Sequence, residues 1–134
     1  MAYNPGVGEH ERTVSVSASP DEAFRLLADP GNLPRYVATM VAAEPEDEER
    51  VRVAAEVLGR REEGQARLHA DEAARRLEWS AERAGDYRGW LQVEPSDSGS
   101  RVTVHVHAVR DEDPAEAERA LDETAANIER LLAG

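Results

Sequence analysis

DPAEAERALDETAANIERLL, residues 113–132, is the stretch that decides the fold. Asp113 is a helix N-cap, Pro114 takes the first helical position, where its missing N–H costs nothing, and Glu116 reaches back from the third. From there Ala117, Leu121, Thr124, Ala125, Ile128, Leu131 and Leu132 fall on one face at 3.6-residue spacing. Glu118, Asp122, Glu123, Glu129 and Arg130 cover the other. Gly134 follows as a stop. At 1.5 Å per residue the rod is roughly 28 Å long, enough to cross a small domain. A helix this long and this one-sided needs a concave sheet to lie in. Its apolar stripe is thin, because Ala117, Ala120, Thr124 and Ala125 fill little volume. That serves either a close approach to the sheet or a helix that leaves room for a ligand.

The chain ahead of the helix supplies the sheet. Arg12 to Ala18 alternates, with Val14, Val16 and Ala18 to one side, and reads as a half-buried strand. Ser19-Pro20-Asp21-Glu22 repeats the capping logic and opens a short helix with Phe24, Leu27 and Ala28 inward. Asp29-Pro30-Gly31-Asn32 breaks it, and Leu33 to Val37 forms a second, very short helical segment. Strands follow over Thr39 to Glu44 and through Val51, Val53, Ala55 and Val57. Gly59 to Glu63 reads as a turn. Gly64, Ala66, Leu68 and Ala70 then alternate with polar residues, as do Leu77, Trp79 and Ala81, then Tyr87, Leu91 and Val93. Pro95 to Ser100 reads as a hairpin loop before Val102, Val104, Val106 and Ala108. Seven strands with polar outer faces imply an antiparallel sheet that is wet on one side, and the long helix is its cover. Residues 1–11 read as a mobile arm and 12–134 as one domain.

Composition narrows the chemistry. The net charge is −12 and the pI near 4.7, which argues against nucleic acid and anionic membrane. All 16 basic residues are Arg, so lysine nucleophiles and Schiff bases are excluded. There is no cysteine, hence no disulfide, thiolate nucleophile or cysteine metal site. No apolar run reaches spanning length and Met1 to Arg12 has no signal-peptide core, so a cytoplasmic protein without membrane insertion is expected. Aromatics are only 4%, which leaves the interior to Val, Leu and Ala.

The order β-α-α-β6-α, with the last helix longest, resembles the helix-grip fold of the START-like (Bet v 1-like) superfamily. Val16 to Phe24 and Asp29 to Tyr36 resemble the opening of its polyketide cyclase/dehydrase group, and Thr124 to Leu131 is similar to that group's closing helix. The resemblance implies an α+β fold in which a seven-stranded curved antiparallel sheet, two short helices and a long C-terminal helix enclose a cavity. It also implies an apolar ligand such as a lipid or polyketide, and no metal or organic cofactor. Some members of the group catalyse cyclisation or dehydration. The aromatase/cyclase branch projects an arginine inward from a middle strand, whereas here the inward positions are Ala66, Leu68 and Ala70, with Arg67 outside.

The candidate ligand contacts are Tyr36, Val53, Ala55, Leu68, Trp79, Arg83, Tyr87, Leu91, Val104, Leu121, Thr124 and Ile128. Trp79 and Tyr87 serve equally as ordinary core. Tyr36 stands either at the cavity mouth, able to donate a hydrogen bond, or as a packing plug. Arg83 continues the inward register and must pair, snorkel out or meet an acidic ligand. The hydroxyl of Thr124 has its own i−4 carbonyl as the simplest partner. His105 and His107 share a strand face without a third ligand, so exposed histidines are expected rather than a metal site. Trp90 falls outside by alternation, unless a bulge near Gly89 turns it in. An exposed Trp90 would suit a homodimer contact. The expected function is binding or carriage of a hydrophobic small molecule, with an aromatase/cyclase or dehydratase-like enzyme as the alternative and no catalytic residue or metal assigned.

Overall fold

The computed structural model describes residues 9–38, 40–47, 49–57, 60–81, 88–107 and 114–133. Strand β1 (Glu9–Val16) leads into helix α1 (Pro20–Ala28), a 3-10 turn (Pro30–Asn32) and the one-turn helix α2 (Leu33–Tyr36). Six strands follow: β2 (Met40–Pro45), β3 (Arg50–Val57), β4 (Arg60–Asp71), β5 (Arg76–Ala81), β6 (Arg88–Ser96) and β7 (Gly99–His107). Helix α3 (Pro114–Leu131) comes last. All seven strands form one antiparallel sheet in the order β1-β7-β6-β5-β4-β3-β2. This is the helix-grip fold the sequence implied.

Local chemistry sets the opening. The Ser19 hydroxyl accepts from the Glu22 amide at 3.3 Å and Pro20 begins α1, whose Ala23, Phe24 and Leu27 are buried. Asp29 caps the 3-10 turn by accepting from the Gly31 amide at 3.0 Å. Tyr36 is buried and donates to the Leu27 carbonyl at 2.7 Å, which locks α2 onto α1. Burial of the phenol holds its pKa well above the usual tyrosine value.

Three strand boundaries differ from the sequence reading. β1 starts at Glu9 rather than Arg12, pairing His10 with Val106 and Arg12 with Val104. Residues 60–63, read as turn, are the first part of β4 and pair with residues 54–57. The expected Pro95–Ser100 loop shrinks to a turn at Asp97-Ser98, with Pro95 opposite Ser100. Backbone pairing continues there without apolar alternation to announce it. Gly99 closes that hairpin at φ 145°, and a Cβ on it would stand 2.4 Å from the Val16 carbonyl oxygen, so only glycine fits.

The core lies between the inner sheet face and the helices. Phe24, Leu27, Leu77, Leu91, Val93, Val102, Val104, Leu121 and Ile128 form one buried cluster. Along α3 and one residue past it, Leu121, Thr124, Ala125, Ile128 and Leu132 are buried, as the periodicity predicts, whereas Leu131 is only half-buried and the Ala117 side chain lies outside the described set.

Candidate ligand site on the inner face of the sheet

Register defines the inner face. Leu68 pairs with Trp79, Trp79 with Gly89, Gly89 with Val106 and Val106 with His10, so these five residues form one row across β4, β5, β6, β7 and β1. The next inner row carries Leu77, Leu91 and Val104, ending at Arg12. Gly89 has a specific reason to lack a side chain: a Cβ there would lie 2.6 Å from Cζ2 of Trp79. The indole therefore lies flat across the neighbouring strand.

The structure brings most of the expected contacts together. Tyr36, Leu68, Leu91, Val104, Leu121 and Ile128 share the buried cluster, and Val53 and Trp79 pack against it while remaining half-buried. Ala55 pairs with Met40 and Glu62 through its backbone, and its side chain lies outside the described set. Arg83 and Tyr87 also lie outside the described residues. Of the two readings of Tyr36, the packing plug fits, since its hydroxyl is committed to Leu27. Thr124 corrects its expected partner. Its Oγ1 accepts from the Ala38 amide at 3.0 Å, which ties α3 to the segment after α2.

Polar chemistry enters this face from β1, at two positions that carry no apolar signal in the sequence. His10 Nδ1 meets Glu118 Oε2, Arg12 Nη2 meets Glu118 Oε1, and Arg12 Nε donates to Asp122 Oδ1 at 2.6 Å. The hydrogen bond from Arg12, then that from His10, holds the Glu118 carboxyl below its ordinary range. The Arg12 guanidinium is raised by Asp122 first and Glu118 second. His10 is 8% exposed, and its Nε2 is buried with no hydrogen-bond partner among the described residues. The signal was present: the Val14–Val16 alternation, extended backwards, puts Arg12 and His10 on the inner face.

The outer face differs in character. Trp90 stays outside without a bulge, stacked on His105 with ring centroids 5.3 Å apart, and the Arg76 guanidinium lies 4.2 Å from its ring centre. Arg76 is itself held by Glu78 at 2.8 Å and Gln92 at 3.0 Å. An open groove of about 470 Å³ runs over this face past Arg67, His69, Trp90, His105 and His107. His69 and His105 bind Glu49 and Glu11 at 2.9 and 3.0 Å. Among the described residues no group of three or more His, Asp or Glu side chains is arranged to hold a metal ion. No helix among them is long and apolar enough to cross a membrane.

Comparison with known proteins agrees with this architecture. A START superfamily protein from Mycobacterium smegmatis superposes with a TM-score of 0.75 at 13% identity, covering 93% of this chain and 97% of its own. The Zhui aromatase/cyclase from a Streptomyces species gives 0.66 at 20% identity, covering 90% and 85%. The di-domain ARO/CYC BexL from the BE-7585A biosynthetic pathway gives 0.71 at 27% identity, covering 91% of this chain but 45% of that one. No curated protein matches the sequence significantly. The model of the family described as polyketide cyclase/dehydrase and lipid transport matches residues 8–133, so the chain belongs to that family.

Proposed function

We propose that this protein binds or carries a hydrophobic small molecule between the inner face of the sheet and α3. The observation that carries the reading is an uneven grip. Among the described residues α3 runs close to β1 and α2, and none of the strands β3 to β6 comes as near to it. Beneath the wider side, Val53 and Trp79 face inward yet are only half-buried, and a Cβ placed on Gly64 would meet nothing within 4 Å. Apolar surface left open on an inner face favours an apolar guest by about 25 cal/mol per Å² covered. We propose a cytoplasmic location as well. The aromatase/cyclase neighbours support the alternative of a cyclase or dehydratase-like enzyme, which needs at least two free polar groups converging inside. Of the described polar groups on this face, Thr124 and Arg12 are already engaged and His10 alone keeps an unpartnered atom, one short of the two that chemistry needs, so binding ranks first.

The test uses Trp79 as reporter in a Trp90→Phe variant, titrated with straight-chain alcohols of increasing length. Affinity should rise by about 0.8 kcal/mol, or roughly fourfold, per added methylene until the space is filled. A flat response to chain length would refute the reading. Native mass spectrometry of freshly purified protein should in addition reveal a co-purified apolar species.

A further inference from the structure

We propose that His10 is the polar anchor of this site, its Nε2 accepting a hydrogen bond from a hydroxyl group of the bound hydrophobic molecule. The proposal rests on the reading of the inner face as a ligand site and says which functional group the ligand presents there. A buried ring nitrogen without a partner is costly, because the hydrogen bond it made to water in the unfolded chain has not been replaced. His10 is not loosely placed: Glu118 holds its other nitrogen, and Glu118 is held in turn by Arg12. The orphan atom sits on a fixed ring.

The proton inventory selects the ligand chemistry. An ionised carboxylate accepts hydrogen bonds and cannot donate them. Arg12 keeps Glu118 in that form, so His10 Nδ1 must carry the hydrogen that lies between them. With one proton on the ring, at Nδ1, Nε2 presents a lone pair, and the complement proposed for it is a donor, a phenolic, enolic or alcoholic O–H.

Register gives the rest of the guest. From His10 the inner row runs through Val106 and Gly89 to Trp79, three strand spacings or about 14 Å away. The Trp79 indole already covers Gly89, which leaves roughly two spacings, about 10 Å, between the aromatic wall and the imidazole. A guest that touches both the Trp79 ring and His10 would cross Val106 and carry its hydroxyl at the end nearer β1.

The experiment is calorimetric titration of the intact protein with 2-naphthol and with 2-methylnaphthalene, which match in shape and differ in the hydroxyl. Wild-type protein should prefer the naphthol about tenfold, the size of one buried hydrogen bond. His10→Phe should remove that preference, read as the ratio of the two affinities within the variant, whatever its effect on their absolute size. Long-range proton–nitrogen spectra of wild-type protein supply a readout that needs no variant to fold. They should show His10 protonated at Nδ1 and bare at Nε2, with the Nε2 resonance shifted by 2-naphthol. Equal wild-type affinities, a preference that survives in His10→Phe, or a proton on Nε2 at rest would each overturn the assignment and leave the apolar site standing. If neither compound binds, the site itself is overturned along with the anchor.

Discussion

Trp79 and Gly89 are cross-strand partners in which one residue supplies a ring and the other the space beneath it. A methyl on Gly89 would meet that ring at 2.6 Å and the His105 carbonyl at 2.7 Å. Gly89→Ala should therefore lower stability by about 1–3 kcal/mol through forced displacement of the indole. Gly64→Ala meets nothing and should raise stability by about 0.5–1 kcal/mol by removing backbone freedom. Urea unfolding of the two variants checks the pair. Equal effects would contradict the placement of Trp79.

Tyr36 should behave as a structural phenol. Tyr36→Phe leaves the Leu27 carbonyl without its donor in a buried setting, costing about 1–3 kcal/mol, with little effect on binding of an apolar probe. Its pKa is raised in the folded state, so its contribution is full below the unfolded value near 10 and is lost as pH rises toward the folded one. Absorbance titration should show at least one of the three tyrosines silent until the protein unfolds in alkali.

The clamp between β1 and α3 should weaken in acid. Glu118 is depressed by Arg12 and His10, so its contribution is present above the unfolded carboxylate value near 4.3 and fades as pH falls through the lower folded one. Glu118→Gln should lower the urea midpoint near pH 6, and the gap to wild type should narrow as pH falls below the unfolded carboxylate value near 4.3. The carboxylate is half exposed, so added salt should shrink the gap at neutral pH as well.

Thr124 joins α3 to the segment that follows α2. Thr124→Val keeps the volume but removes the acceptor for the Ala38 amide and should cost about 1 kcal/mol, while Thr124→Ser should restore most of it. Hydrogen exchange at Ala38 is the specific readout: faster in the valine variant, near normal in the serine one.

Much of this architecture is legible in the sequence because it is written in apolar period and capping chemistry. Ser19-Pro20 starts α1 where it should, and Leu121, Ala125, Ile128 and Leu132 mark the buried stripe of α3. Residues 60–63 carry a run of four charges that reads as turn, since backbone pairing with β3 leaves no trace in side-chain hydrophobicity. His10 and Arg12 are hidden for the same reason: hydropathy marks neither as inward, and both are made tolerable by carboxylates more than 100 residues away. Thr124 lies in the apolar arc of its helix, and Tyr36 takes the packing-plug position, one of the two its sequence context allows. Their partners, however, are backbone groups whose position depends on the tertiary fold.

The contact of α3 with β1 joins the first strand to the last helix, and it has a consequence for biogenesis. Every strand can pair with its sequence neighbour as it emerges, except that β1 must wait for β7 and the finished sheet must wait for α3. Through that interval the valine- and leucine-lined concave surface is bare to water and to other nascent chains. If the proposed function holds, a hydrophobic guest arriving then would meet an open bowl, and its abundance in the cell should bear on the yield of native protein.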